Sequence, residues 1–162
     1  PRAASGGRPD TNSGTPLITH KGTWARHYDK MLIGLGIDVI QNERIAHSIE
    51  RFGERFISRI FTEGETAYCQ AAARPAIHFA VRFAAKEAAF KALGTGWAKG
   101  VRWRDVDIHR LASGQPELHL HGEALNRATS LGANRFFVSL THDQTVSAAV
   151  VVLESSVPEA SE

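Results

Sequence analysis

Arg82-Phe83-Ala84-Ala85-Lys86-Glu87-Ala88-Ala89-Phe90-Lys91-Ala92-Leu93-Gly94-Thr95-Gly96 decides how the rest of the chain is arranged. The run is rich in Ala, Leu, Lys and Glu, which lose little side-chain freedom in a helix. Pro75 suits the first helical position and Gly94 suits the C-cap, so one helix is expected between them. Apolar residues at 77, 81, 84, 85, 88 and 92 form a 3.6-period stripe, small enough to pack closely on a sheet. Glu87 and Lys91 lie one turn apart on another face, beside Phe83 and Phe90. Two readings of them are open: an ordinary ion pair on a solvated face, contributing about 0.3 kcal/mol, or part of a site.

A second stretch bears on that choice. Leu32-Ile33-Gly34-Leu35-Gly36-Ile37-Asp38-Val39-Ile40 reads as a strand apolar on both faces, with one carboxylate near its end. A lone Asp in such a run is costly unless it is paired, hydrogen-bonded or bound to a metal. Asp38 is either the N-cap of the following helix or a functional group. Taken together, the Gly36-Ile37-Asp38 strand and the F-A-A-K-E-A-x-x-K-A-x-G-T-G helix about fifty residues later resemble the holo-acyl-carrier-protein synthase family. These are the short 4'-phosphopantetheinyl transferases. The resemblance runs from about Met31 to about Glu154.

The 162 residues are enough for one domain with one core, and 43% hydrophobic with 22% charged residues is ordinary for a soluble chain. The net charge of +2 is uneven. Residues 1–30 hold five basic residues against two Asp, leaving 14 basic and 15 acidic residues beyond them. A nearly neutral body without paired exposed aromatics on its later strands argues against an RNA-binding module, so no nucleic-acid partner is expected. No apolar run approaches a membrane span, so no membrane partner is expected either. The single cysteine, Cys69, allows no internal disulfide, and a reducing, cytoplasmic setting is the default.

Residues 1–30 are rich in Gly, Ser, Thr, Pro and Arg and are expected to be a disordered leader, either cloning-derived or an upstream extension. The domain is expected over 31–154, with a frayed tail over 155–162. After Asp38 a helical stretch should run from about Glu43 to Ile60, bent or interrupted at Gly53. Arg44, Arg51, Arg55 and Arg59 form a basic stripe along it. Thr62-Glu63-Gly64-Glu65 has the form of a capping box, which makes Glu65 structural and starts a short helix ending near Ala73. Val101 to His109 and Glu117 to His121 read as a hairpin around Ser113-Gly114-Gln115-Pro116. His119 and His121 share its polar face, with no third metal ligand suggested nearby. A helix from about Glu123 to Leu131 and strands at Arg135–Thr141 and Thr145–Leu153 complete an α+β fold, a mainly antiparallel sheet packed with helices.

Asp38 and Glu87 are hard oxygen ligands suited to Mg²⁺, with Mn²⁺ as the alternative, and Lys91 can neutralise a phosphate beside them. This set suits transfer of a phosphate-linked group. Cys69 has no His partner at motif spacing, and no G-x-S-x-G or Walker loop is present. The resemblance implies coenzyme A as donor, a serine of apo-acyl carrier protein as acceptor, and adenosine 3',5'-bisphosphate as leaving product, within fatty acid biosynthesis. Carrier domains of polyketide or peptide synthases are the alternative acceptors. It further implies a small 4'-phosphopantetheinyl transferase fold and a homotrimer with active sites between subunits. By the same resemblance, Asp38 and Glu87 bind the metal, and Lys91 meets the pyrophosphate. Arg82, Lys86, Gly94, Thr95, Gly96, Thr141 and His142 border coenzyme A, while Arg44, Arg51 and Arg55 meet the acidic carrier. The base that takes the serine proton stays open between His142, Asp143 and a metal-bound water relayed to Glu87. Gln115 stands where the family often has a basic residue before the turn proline.

Overall fold

The computed structural model describes residues 30–96 and 100–156. Strand β1 (Lys30–Gln41) runs directly into α1 (Asn42–Phe52), followed by α2 (Glu54–Ile60), α3 (Glu63–Gln70) and α4 (Pro75–Leu93). A 3-10 turn (Trp103–Asp105) leads to β2 (Val106–Arg110) and β3 (Pro116–Leu120), then α5 (Gly122–Ser130), β4 (Arg135–His142) and β5 (Val146–Ser156). One antiparallel sheet has the order β1-β5-β4, and β2 and β3 form a separate hairpin. The fold is α+β.

Helix α4 begins at Pro75 and ends at Gly94, which adopts φ 66, the left-handed conformation glycine takes at a C-cap. The helix is not amphipathic, however. Ala84, Ala85, Ala88 and Ala92 are buried, but so are Phe79, Ala80, Ala89, Phe90 and Leu93 on other sides. A helix apolar all round is one enclosed by its neighbours. Phe61 packs on Phe79 with ring centroids 4.8 Å apart, and Trp103 stacks on Phe83 at 4.8 Å and meets Phe90 edge-on at 5.0 Å.

The inner face of β1 explains how α4 comes so close. A Cβ on Gly36 would lie 2.8 Å from the Ala92 amide nitrogen and overlap the Ala88 carbonyl, and one on Gly34 would collide with Ala92. Strand backbone therefore rests on helix backbone, with alanines on the other side. The strand is accordingly not buried on both faces as its composition suggested. Leu35, Ile37 and Val39 point outward and are 60%, 58% and 60% exposed.

Gly53, at φ 51, interrupts the stretch 43–60 as expected and divides it into two helices. Three departures have local causes. The third helix stops at Gln70 rather than Ala73. Residues 103–105 turn instead of extending, because Asp105 accepts the Arg102 N–H at 2.9 Å and its own N–H returns to the Arg102 carbonyl at 3.0 Å. Lys30 already pairs with Ser156, and Met31 with Ser155, so Ser155 and Ser156 belong to β5 rather than to a frayed tail. The rest of the expected leader, and residues 157–162, lie outside the described residues.

The glycine contact gives a direct test. Gly36→Ala should destabilise the protein by about 1–3 kcal/mol through forced overpacking, measured by urea unfolding. Gly64→Ala, at an open helical position, should stabilise by a few tenths up to about 1 kcal/mol.

Candidate active site

Asp38 is not an N-cap. It lies within β1, and the residue capping α1 is Gln41, whose side chain makes no capping bond. Strand alternation puts Asp38 on the same face as Gly34 and Gly36, toward α4. Across that contact the Lys91 Nζ donates to Asp38 Oδ1 at 2.8 Å and to the Ile37 carbonyl at 2.8 Å. Of the two readings open for Glu87 and Lys91, the ordinary helix ion pair does not form, because Lys91 crosses to the strand instead. Glu87 makes no side-chain hydrogen bond among the described residues. Burial, and then the Asp38 carboxylate, push its pKa above the ordinary glutamate value, with Lys91 opposing. Two carboxylates and an ammonium from two elements thus converge, and the carboxylates repel one another. A hard divalent cation would relieve that repulsion, so the donor set fits the expected metal.

A second cluster lies toward the N-terminal half of α4. Arg82 is 4% exposed, its Nη1 donates to the His78 carbonyl at 3.4 Å, its Nε has no hydrogen-bond partner among the described residues, and its guanidinium lies 4.0 Å from the Tyr68 ring centroid. A buried guanidinium N–H left without a partner is expensive. It borders a pocket of about 380 Å³ that also presents His78, His109, Arg110 and His142. The His78 and His142 rings meet edge-on at 5.5 Å. Burial first, then His142, Arg82 and Arg110, lower the His78 pKa, so this wall is electropositive without every imidazole carrying charge. Arg82 and His142, singled out in sequence, are brought together here. Tyr68, His78, His109 and Arg110 were missed, and only His78, four residues before Arg82 on one helix face, carried a readable signal.

Lys86 is a correction. It is fully buried, bonded to Glu65 Oε2 at 2.8 Å, to the Trp103 carbonyl at 3.1 Å and to the Val106 carbonyl. Its three donors are consumed, so it cannot reach a phosphate. Glu65 completes the capping box through the Thr62 N–H at 2.9 Å and also accepts the Ile108 N–H at 3.1 Å. Burial lowers the Lys86 pKa and Glu65 opposes that. This pair fastens α4 to α3 and to the hairpin.

Thr141 is separated from His142. His142 and Leu140 line the inner pocket, so Thr141 faces the opposite side of the sheet with Leu35, Ile37 and Val39. Gly94 and Gly96 hold positive φ, and Thr95 is buried between them with its hydroxyl on the Gly96 carbonyl at 2.8 Å. Asp143 accepts from Thr145 N, Thr145 Oγ1 and Val146 N at 2.6, 2.9 and 2.7 Å, which hold its pKa below the ordinary value. A carboxylate so occupied is a poor proton acceptor. His119 is bonded to Glu117 at 2.6 Å, and no group of three metal-type side chains gathers among the described residues.

Arg44, Arg51 and Arg55 are exposed along α1 and α2. Arg55 joins Phe52, Phe56 and Arg59 around a surface pocket of about 330 Å³.

Residues 34–151 match the sequence profile of the 4'-phosphopantetheinyl transferase superfamily. The chain belongs to that superfamily. It is 46% identical over 125 residues to the holo-(acyl-carrier-protein) synthase of Solibacter usitatus, an alignment covering 77% of this chain and 100% of that relative. The crystal structure of the synthase from Neisseria meningitidis matches with a TM-score of 0.69 and 35% identity, over 76% of this chain and 98% of the other. That from Helicobacter pylori, solved in complex with coenzyme A, matches with a TM-score of 0.65 and 28% identity, over 74% and 98%. Asp38, Glu87, Lys91, Arg82 and His142 all fall within the transferase match.

The raised Glu87 pKa has a measurable consequence for the metal-free protein. An acid whose folded pKa is raised stabilises the fold fully below its unfolded value, here 4.5, and loses that contribution as pH climbs through the folded value. Glu87→Gln cannot ionise. In EDTA its melting temperature should therefore gain on that of wild type as pH rises from below 4.5 to neutral.

Proposed function

We propose that this chain transfers the 4'-phosphopantetheine arm of coenzyme A to a serine of apo-acyl carrier protein, releasing adenosine 3',5'-bisphosphate. The observation that carries this is the convergence of Asp38, Glu87 and Lys91 across the β1–α4 contact, inside a chain 46% identical to a named synthase. Asp38 and Glu87 would hold Mg²⁺, or Mn²⁺, which when bound supplies charge stabilisation at pyrophosphate oxygens. Lys91 is half-exposed and reaches the same carboxylate edge, where it offsets charge that develops on the phosphates. The pocket that Arg82 and Arg110 make cationic, with His78 and His142 on its wall, is sized and charged for the nucleotide end of coenzyme A. Gly94 and Gly96 keep side chains out of the loop that ends α4.

During transfer the serine oxygen forms a bond to the β-phosphorus of coenzyme A and the bridging oxygen leaves with the bisphosphate. The serine proton passes to a base, and the occupation of Asp143 by three donors favours His142 or the Glu87 side. Arg44, Arg51 and Arg55 would steer the acidic carrier. A fatty-acid carrier in the cytoplasm is the favoured acceptor, and carrier domains of polyketide or peptide synthases are the alternative. No helix among the described residues is long and apolar enough to cross a membrane.

The outer sheet face supports a homotrimer. Leu35, Ile37 and Val39 lie in register with Val152, Val150 and Ala148, which lie in register with Phe137, Ser139 and Thr141. An apolar strip of this extent marks an interface. Thr141 on that face would then meet coenzyme A held by a neighbouring subunit.

Intact-mass spectrometry of apo-acyl carrier protein incubated with this chain, coenzyme A and Mg²⁺ should show one phosphopantetheine added, and none with EDTA. Asp38→Asn and Glu87→Gln should each slow the transfer by at least about a hundredfold; near-full activity in either would remove it from the metal site. Ile37→Glu should convert the assembly to monomers in light scattering and abolish transfer while the monomer stays folded by circular dichroism.

A further inference from the structure

The residue that joins β1 to α1 is neither apolar nor exposed. Asn42 is 5% exposed, and its backbone N–H and side-chain amide are bonded to the turn between β4 and β5 and to the first residues of β5. Its backbone N–H donates to the Thr145 carbonyl at 2.8 Å, and its Nδ2 donates to the Asp143 carbonyl at 3.1 Å. Its Oδ1 accepts from the Ser147 hydroxyl at 2.6 Å, and Ser147 is fully buried. Asp143 closes the same turn from within, through its three bonds to Thr145 and Val146. The turn is therefore clamped twice, once by its own aspartate and once by an amide at the end of the neighbouring strand β1.

Helix and strand at this junction do not need an amide. The first turn of α1 is open to solvent at Glu43 and Arg44, and burying a polar side chain costs free energy unless every group is bonded. What a fully bonded buried amide adds over an apolar residue is a single permitted geometry for its partners. Here the partner is the segment that begins at His142, whose ring borders the cationic pocket with Arg82 and His78.

We infer that Asn42 is a positioning residue: through Asp143 and Ser147 it fixes the β4–β5 turn, and so holds His142 in the pocket that takes the phosphorylated nucleotide end of coenzyme A. Asn42 touches no substrate. The inference rests on the transferase reading above for the identity of the ligand.

The test is Asn42→Leu combined with Ser147→Ala. The pair removes both buried polar partners together and leaves the Asp143 carbonyl at an exposed turn, where water can satisfy it. Calorimetric Kd for coenzyme A and steady-state KM for coenzyme A should both rise by about fivefold to tenfold, the loss of one to two hydrogen bonds of positioning. The KM for apo-carrier should stay within about twofold and the melt should remain cooperative, a split that general loosening would not produce. An unchanged Kd for coenzyme A would overturn the inference, as would a parallel rise in both KM values with a fallen melting temperature. If the double variant fails to fold, Asn42→Asp takes its place. It is isosteric, keeps the Ser147 bond and turns an acceptor oxygen on the Asp143 carbonyl, so it should weaken coenzyme A binding at least as much. An Asn42→Asp variant that binds like wild type would refute the role. Wild type that fails to bind coenzyme A would instead refute the transferase reading, and that result is distinct from either variant's.

Discussion

Strand β1 lies directly on helix α4, backbone against backbone, and almost everything functional in this chain follows from that contact. It requires two glycines on the strand and a row of alanines on the helix. Closeness on this scale leaves no room for intervening side chains, so residues at the ends of the contact meet across it. Asp38, two positions beyond Gly36, therefore reaches Lys91 and feels the charge of Glu87. Tight small-residue packing is often read as a stability device. Here it also sets how far apart the acidic groups of a site can be.

The same helix is held from its other side by a buried charge pair. Lys86 and Glu65 are adjacent in space and wholly shielded, and Glu65 serves a cap, a strand amide and the ammonium together. Replacing such a pair with apolar residues is frequently neutral or favourable, so its presence is not explained by stability alone. Its geometry offers a reason: neighbouring residues 86 and 87 are about 100° apart around one helix, and pinning the first fixes the rotation of the second. A rotation of α4 about its axis would move Glu87 away from Asp38.

Much of this was legible from sequence because it is local. Pro75 and Gly94 mark the ends of α4, Thr62 and Glu65 announce their capping box, and Gly53 marks its break. The carboxylates were legible because a charge in an apolar strand and a charge on an alanine helix each demand a partner. Facing and depth were not. Lys86 reads like Lys91 in the motif, yet one lies in the core and the other at the site edge, which depends on where Glu65 is placed. Leu35, Ile37 and Val39 read as core because periodicity reports hydrophobicity and says nothing of which neighbour covers it. His78, His109 and Arg110 come from a helix and a hairpin joined only by tertiary packing, and no spacing rule relates them.

Strand β4 carries Thr141 and His142 side by side, one facing outward and one inward. Alternation along a strand has a period of two, so pairing register is a chemical variable as well as a structural one. With Thr141 opposite Ala148 and His142 opposite Ser147, a single strand presents different chemistry to the two faces of the sheet. A shift of one residue would exchange them, sending an imidazole to the outer face and a hydroxyl into the cationic pocket, with every hydrogen bond of the ladder still available. Insertions and deletions of one residue in β4 should therefore be far more damaging than substitutions there, and changes of two residues should be the milder kind.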